Sequence, residues 1–394
     1  MKPNHRVLHY SMALFMQLFV SAGSLAVPLL ATQLGFSTFE LGVIGSAGAA
    51  TYVLMVVSAG AISDKLGRKG VIISGSLLTA LAYLIMPVSR QPIHLIVLMA
   101  VSGIGMAFFW PVLEAWLSEE GDADQVRRGL GGFNVSWSIG ASVGPFLGGL
   151  IYTKSIVLSF MFAAAGMCAV AFLAYLHKKP LQPQPETTSD SEIPPLVSAP
   201  IFVERALLYA VWMANFAGWF AMSEIRVLFP KLALTLGMQP WLIGILVLIL
   251  GVALTVTFFM LGSSGWWHNR KSPLIIAQVF LVLLLVAMTI VDSAGAFGLI
   301  FIGIGAGMGI TYSYSLFYSV VGSIQKGAAS GRHEMVLGVG AFLGPFIGGA
   351  VAPMFGTQRA PYILGAALIF VSLIFQSIVF MMFRRRGDSI QESG

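Results

Sequence analysis

Residues 131–149 read GGFNVSWSIGASVGPFLGG, and residues 331–349 read GRHEMVLGVGAFLGPFIGG. Six positions of the first stretch return 200 residues later in the second. They are Gly131, Gly140, Gly144, Pro145, Gly148 and Gly149 in the first copy, and Gly331, Gly340, Gly344, Pro345, Gly348 and Gly349 in the second. Both copies lie in long apolar segments, so the repeat predicts a duplicated bundle of membrane helices.

The composition excludes an ordinary soluble domain. Of 394 residues 57% are hydrophobic and 10% are charged, with a mean hydropathy of +0.87. Soluble domains carry about 25% charged residues, so lipid must cover most of this surface. The net charge of +6 does not indicate nucleic-acid binding, because the basic residues fall in short loops. A single cysteine, Cys168, allows no internal disulfide and argues against a redox or metal role.

A membrane-spanning helix needs about 20 apolar residues. Reading between loop signals predicts twelve spans, at 7–31, 39–62, 71–89, 92–117, 131–153, 156–176, 206–229, 238–261, 273–291, 294–318, 333–353 and 361–383. The first apolar stretch is too long for the core of a signal peptide, so it is assigned as a span. The sequence predicts an N-terminal six-helix bundle (1–176), a polar, proline-rich cytoplasmic linker (177–202), and a C-terminal bundle with its tail (203–394).

The basic residues predict the orientation in the membrane. With the N-terminus inside, 17 of the 22 lysines and arginines are cytoplasmic. The 17 are Lys2, Arg6, Lys65, Arg68, Lys69, Arg127, Arg128, Lys178, Lys179, Arg205, Arg270, Lys271, Lys326, Arg332, Arg384, Arg385 and Arg386. Lys154, Lys231, Arg90 and Arg359 fall outside, and Arg226 lies near a helix end. This bias predicts a multi-pass protein of the cell membrane with both termini in the cytoplasm.

The loop after the second span carries a recognisable signature. It reads GAISDKLGRKG over residues 60–70 and fits the pattern G-x-x-x-D-[RK]-x-G-R-[RK]. The matching residues are Gly60, Asp64, Lys65, Gly67, Arg68 and Lys69. With twelve spans and the repeat, the whole chain resembles the major facilitator superfamily (MFS) of secondary transporters. The resemblance implies an all-α membrane fold of twelve transmembrane helices in two parallel six-helix repeats, most like the drug/proton antiporters.

The resemblance also implies a conformational latch. Asp64 would hold the 2–3 loop to the other half, near Gly331, in the outward-open state. Gly67 suits a tight turn that needs a positive φ. The alternative is a basic loop that only fixes topology. The second half carries a decayed copy that begins at Gly262, with Trp266 in the place of Asp64, so gating by this loop would be asymmetric.

The repeated glycine segment matches the superfamily's span-5 pattern G-x8-G-x3-G-P-x2-G-G, often called the antiporter motif. Gly140, Gly144 and Gly148 share one helix face, where small residues let another backbone approach closely. Pro145 removes a helix hydrogen bond and favours a bend. The resemblance implies efflux. The alternative is packing alone, because span 11 carries the same pattern.

Ionisable residues inside spans are candidate coupling or gate groups. They are Glu114, Glu224, Arg226, Glu334 and His333. Many proton-driven exporters carry an arginine in span 4 three residues before a glycine, where this chain has Ala100 before Gly103, so coupling must use other groups.

Each of these residues has two interpretations. Glu224 is either a protonatable coupling carboxylate or, with Arg226, part of an outer gate, although their i, i+2 spacing does not face them together on a helix. Glu114 is a coupling group or, with Glu119, Arg127 and Arg128, binds the basic 2–3 loop in a cytoplasmic network. Glu334 and His333 are gate groups or cap the start of span 11.

Polar and aromatic residues of the spans that line the cavity in the superfamily predict the substrate site. They are Gln17, Phe109, Trp110, Trp212, Asn215, Trp219, Tyr312, Tyr314 and Tyr318. Mostly apolar walls with a few polar anchors suit amphiphilic ligands. The alternative for any one aromatic is a lipid-facing position.

These observations predict a secondary active transporter that works by rocker-switch alternating access, with proton-coupled efflux of small amphiphilic or hydrophobic compounds. The alternatives are a carrier of the same fold for a sugar, a metabolite or a lipid, uptake instead of efflux, and a membrane-embedded enzyme or receptor. No Walker, HExxH, CxxC or GxSxG pattern occurs, so no enzymatic activity, cofactor or metal is expected. The expected partners are a small-molecule substrate, protons and the lipid bilayer, and the resemblance implies a monomer.

Overall fold

The computed structural model describes residues 4–118, 123–177, 201–268, 270–320 and 326–391. These residues form twelve α-helices: α1 Asn4–Gln33, α2 Thr38–Leu66, α3 Arg68–Ile85, α4 Pro92–Ser118, α5 Ala123–Lys154, α6 Ile156–Leu176, α7 Ile201–Thr235, α8 Pro240–Gly262, α9 Ser272–Ala287, α10 Ala294–Val320, α11 Lys326–Met354 and α12 Ala360–Gln391. The twelve-helix prediction is confirmed. Most of the predicted linker, residues 178–200, lies outside the described residues.

Ten of the helices in the described part of the chain are long and apolar enough to cross a membrane. Helix α9 is shorter, with 16 residues. Helix α7 is more polar because it contains Asn215, Glu224, Arg226 and Lys231. Large apolar side chains also cover the outside of the bundle, as at Phe259, which is 71% exposed. A surface of this kind suits lipid rather than water.

The duplication is visible in the turns that join α1 to α2 and α7 to α8. Gly35 has φ 79° and Gly237 has φ 81°, a conformation that glycine adopts at little cost. In both turns the N–H of the residue after the glycine donates to the carbonyl five residues earlier. Phe36 donates to Ala31, and Met238 donates to Ala233. Equivalent sequences therefore end α1 and α7 in the same way.

The repeated glycines press each half together at its centre. A Cβ added at Gly144 of α5 would lie 2.3 Å from the Leu18 carbonyl oxygen of α1. One added at Gly344 of α11 would lie 2.2 Å from the Phe220 carbonyl oxygen of α7. The predicted close approach of another backbone at this glycine face is thereby confirmed. It sets α5 against α1 and α11 against α7 in equivalent ways, because the segment is repeated.

We expect Gly144→Ala to lower the unfolding temperature of the purified protein by several degrees, because the new Cβ must push α5 away from α1. Gly295→Ala is the matched control, since a Cβ there meets nothing within 4 Å. In a helix that change should be neutral or slightly stabilising. Thermal unfolding in detergent measures both variants. Equal unfolding temperatures for the two would contradict the packing described for α1 and α5.

Candidate functional site: a cavity sealed on one side

The two ends of the helix bundle are called the basic side and the distal side. The basic side is the end where α1 begins and where α2 turns into α3 at Gly67. The distal side is the opposite end, with the turns at Gly35 and Gly237.

A cavity of about 230 Å³ lies between helices of the two halves. Helices α1, α2, α4 and α5 form one wall, and α7, α8 and α11 form the other. Most of the lining is aliphatic. The polar side chains that reach the cavity are Gln17, Ser21, Ser24, Ser223 and Arg226. A mainly apolar pocket with a few polar groups is typical of sites for small organic ligands.

The polar groups of the α1 wall form a stripe. Gln17, Ser21 and Ser24 follow each other at helical spacing, so they share one face. The Gln17 amide donates to Ser21 Oγ at 3.0 Å, and Ser24 Oγ lies 3.1 Å from the Tyr83 hydroxyl. The stripe therefore offers the cavity a short run of hydroxyl and amide groups.

Arg226 brings a positive charge to the α7 wall. Its guanidinium carbon lies 5.6 Å from the centroid of the Trp219 ring, which also lines the cavity. The ring face attracts the cation. Within the described part of the chain, Arg226 forms no ion pair with an acidic side chain. The guanidinium is thus available to a ligand.

Glu224 points the other way. It is fully buried, and its oxygens would lie 2.5 Å from a Cβ at Gly348 of α11 and 2.7 Å from one at Gly365 of α12. Neither oxygen has a hydrogen-bond partner among the described residues. The prediction that Glu224 and Arg226 do not face each other is confirmed. Glu224 lies behind the cavity wall, in room that two glycines provide.

Two glycine seams cross between the halves on the distal side. In the first, a Cβ at Gly42 of α2 would lie 2.2 Å from the Pro345 carbonyl oxygen of α11. In the second, a Cβ at Gly244 of α8 would lie 2.7 Å from the Pro145 carbonyl oxygen of α5. The two prolines are equivalent positions of the repeat. Each copy of the segment therefore closes one seam against the other half.

The second glycine of each final pair tightens the same seams. A Cβ at Gly349 would lie 2.9 Å from the Gly42 Cα, and one at Gly149 would lie 2.4 Å from the Pro240 carbonyl oxygen. Gly148 and Gly348 instead face α1 and α7 of their own halves. The adjacent glycines therefore serve two contacts, one within a half and one between halves.

Further contacts between the halves close the distal side. Ser46 Oγ donates to the Phe342 carbonyl at 2.7 Å. The ammonium of Lys231, in α7, donates to the Phe36 carbonyl at the turn after α1. With the two seams, these contacts separate the cavity from the distal side.

Between the cavity lining and the basic side lie ionisable groups from both halves. Glu114 of α4 and Glu334 of α11 lie within electrostatic reach of each other and of Tyr52 and Tyr312. Sequence reasoning missed Tyr52. A tyrosine in a mainly apolar span was the signal there.

His333 does not cap α11, so that interpretation was wrong. The helix begins at Lys326, about two turns earlier, because it extends beyond its apolar part. The His333 ring lies in the protein interior, with Nδ1 2.9 Å from Ser315 Oγ and its face against the Tyr312 ring. Glu334 lies 4.0 Å from the other ring nitrogen. The contacts of His333 with Ser315 and Tyr312 link α11 to α10.

The 2–3 turn makes contacts within its own half. Gly67 has φ 86°, which confirms the predicted conformation. Asp64 lies 2.5 Å from Arg68 in an ion pair. Lys69 donates to the His177 carbonyl at the end of α6 at 2.9 Å. The start of α11, where the predicted latch partner would lie, has its side chains outside the described residues, so the latch stays a prediction.

Two of the predicted cavity residues line the cavity, and the others lie behind its wall or elsewhere. Gln17 and Trp219 line the cavity. Tyr312 is one layer behind it, with its ring 6.3 Å from that of Trp219. Phe109 is fully buried with its ring edge against Trp110.

Three other predicted residues make contacts elsewhere. The Tyr314 hydroxyl donates to the carbonyls of Trp267 and Arg270 in the segment between α8 and α9, and the Tyr318 ring lies 6.1 Å from that of Tyr314. Trp212 donates to Ser319 Oγ at 2.7 Å.

Asn215 is fully buried, and no hydrogen-bond partner for its amide occurs among the described residues. Sequence alone could place Asn215 and Trp219 on α7 but could not tell which reaches the cavity.

Comparison with known proteins gives one consistent family. The model of the Major Facilitator Superfamily matches residues 10–331. The quinolone resistance protein NorA of Staphylococcus aureus is 22% identical over 82% of this chain and 84% of its own length. The multidrug resistance protein MdtG of Proteus mirabilis is 21% identical over 91% of this chain and 92% of its own. A mutant of the nucleoside transporter NupG has the same fold, with a TM-score of 0.75, 14% identity, and coverage of 96% of this chain and all of NupG.

We expect Gly42→Ala to weaken the distal seal, because its Cβ would meet the Pro345 carbonyl oxygen. A loss of about 1 kcal/mol in closure would raise the open population about fivefold. A cysteine placed at Ser24, in a Cys168→Ser background, reports this opening through its rate of labelling by an impermeant maleimide from the distal side. Gly262→Ala is the control, since a Cβ there meets nothing within 4 Å. Unchanged labelling in Gly42→Ala would rule out this seam as a barrier.

Proposed function

The chain belongs to the major facilitator superfamily, and from that premise we propose that it exports small amphiphilic or hydrophobic compounds in exchange for protons. The observation that carries the proposal is the cavity between the halves, sealed on one side by close backbone contacts. The names of NorA and MdtG, which describe drug resistance, support efflux.

The mechanism is a rocking of two halves, residues 1–176 and 203–394, about the cavity. The basic side faces the cytoplasm of the cell, as the distribution of lysine and arginine predicts. In the arrangement described here the distal seams are closed, so cargo enters from the cytoplasm. Separation of the seams then releases the cargo outside. Each half moves as a unit because glycine contacts hold α5 to α1 and α11 to α7.

Glu224 is the proton carrier in this mechanism. An unpartnered carboxylate in an apolar interior is costly, so with the seams closed Glu224 holds a proton. Gly348, on the same segment as the seam residue Gly349, packs against it. Movement of α11 as the seam opens changes the surroundings of the carboxyl and lets it exchange its proton. Proton exchange is thereby linked to the step that exposes the cavity.

We expect Glu224→Gln to abolish uphill transport driven by a pH gradient in proteoliposomes, because a neutral amide carries no proton. Exchange of cargo down its own gradient should persist. Glu40→Gln is the matched control, since Glu40 caps α2 at the distal side and glutamine can keep that capping box. Uphill transport that survives in Glu224→Gln would eliminate Glu224 as the carrier.

The latch hypothesis has its own test in Asp64→Asn. Asp64 is 60% exposed, so its ion pair with Arg68 is worth only about 0–1 kcal/mol of stability. We therefore expect an almost unchanged unfolding temperature but slower transport. Asp292→Asn is the control, because Asp292 is an exposed acid paired with Arg359 on the distal side. Equal transport rates in both variants and the unmodified protein would remove the latch.

A further inference from the structure

The charge of the cavity has one sign. Arg226 is the only ionisable side chain among the described residues that line it. Glu224, two residues earlier, does not neutralise it there, because its carboxyl faces Gly348 and Gly365. The remaining polar lining consists of hydroxyl and amide groups, which carry no charge.

We propose that the cavity selects amphiphilic compounds that carry an anionic group, a carboxylate or a sulfonate, and that Arg226 is the residue that binds this group. The inference rests on the proposed function only in taking the cavity as the transport site. It narrows a general preference for amphiphilic compounds to a preference for negatively charged ones.

The cavity provides a place for the acidic group and for the apolar ring system of such a compound. The guanidinium carbon lies 5.6 Å from the centroid of the Trp219 ring, and no acidic side chain among the described residues pairs with its N–H donors. Aliphatic residues such as Leu41 and Ile44 line the opposite wall, against which a ring system packs. The volume of about 230 Å³ suits a fused two-ring aromatic with a short acidic chain.

Charge also decides what the cavity rejects. A cationic amphiphile would meet Arg226 with no acidic side chain on the described lining to compensate it. Like-charge contact in a site of low dielectric is strongly unfavourable. A neutral analogue would lack only the charge-assisted hydrogen bonds to the guanidinium, which are worth about 1.5–3 kcal/mol, or at least about tenfold in affinity.

Three probes with one skeleton test the preference: 1-naphthylacetate, 1-naphthylacetamide and 2-(1-naphthyl)ethylamine. Their binding to the purified protein is measured by calorimetry in detergent. We expect the anion to bind at least about tenfold more tightly than the amide and the amine. Equal or tighter binding of the amide or the amine, or no binding of any probe, would overturn the proposal. This measurement needs no variant, so it stands even if substitutions at Arg226 prevent folding.

Variants assign the preference to Arg226. Arg226→Gln should bind the acetate and the amide equally, whereas Arg226→Lys should keep most of the preference for the anion. Arg359→Gln is the matched control, because Arg359 pairs with Asp292 on the distal side, away from the cavity. A preference that persists unchanged in Arg226→Gln would overturn the assignment.

Transport of the same probes separates this inference from the proposed function. Proteoliposomes with an imposed pH gradient are loaded with each probe. If the anion binds through Arg226 but the gradient moves none of the probes, the exporter proposal fails and the anion site stands. If all three probes are moved without preference, the anion site fails and the exporter proposal stands.

Discussion

Close approach of helix backbones at glycine is the constraint on which the rest of this structure depends. Apolar side chains gain nothing by leaving lipid for a protein interior, so helices in a membrane are held by tight packing and by polar contacts. Each copy of the duplicated segment makes two such close contacts, one within its own half and one with the other half. One glycine face presses α5 on α1, or α11 on α7, and the last glycine of each copy meets the opposite half. The cavity lies in the space that these contacts enclose.

The same packing separates two ionisable groups that are close in sequence. Positions two apart on a helix point about 200° away from each other. Arg226 therefore reaches the cavity, while Glu224 enters the space beside Gly348 and Gly365. In the proposals made above, the carboxyl serves the proton and the guanidinium serves the cargo. Both groups on one face of a helix would instead be placed to form an ion pair.

Much of the fold could be predicted from the sequence because its signals are local. The apolar spans and the glycine turn at Gly67 each follow from residues close together in the chain, and each copy of the repeat is itself one short stretch. The candidate site was less predictable, because the choice between neighbouring residues depends on helix rotation. Trp219 lines the cavity, whereas Tyr314 turns to the segment between α8 and α9. His333 was misread because α11 begins in polar sequence that a search for apolar spans leaves out.

The two ends of the cavity are bordered by different chemistry. Toward the basic side the cavity is bordered by carboxyl and hydroxyl groups of both halves, such as Glu114 and Glu334. The distal seams consist of glycine Cα atoms against peptide carbonyls. Dispersion contacts between backbones lose about a quarter to a half of their strength over a gap of about 0.5–1 Å, and dissolved ions do not screen them. The glycine seams are therefore held by shape, and sea water or fresh water on the distal side would leave their fit unaltered.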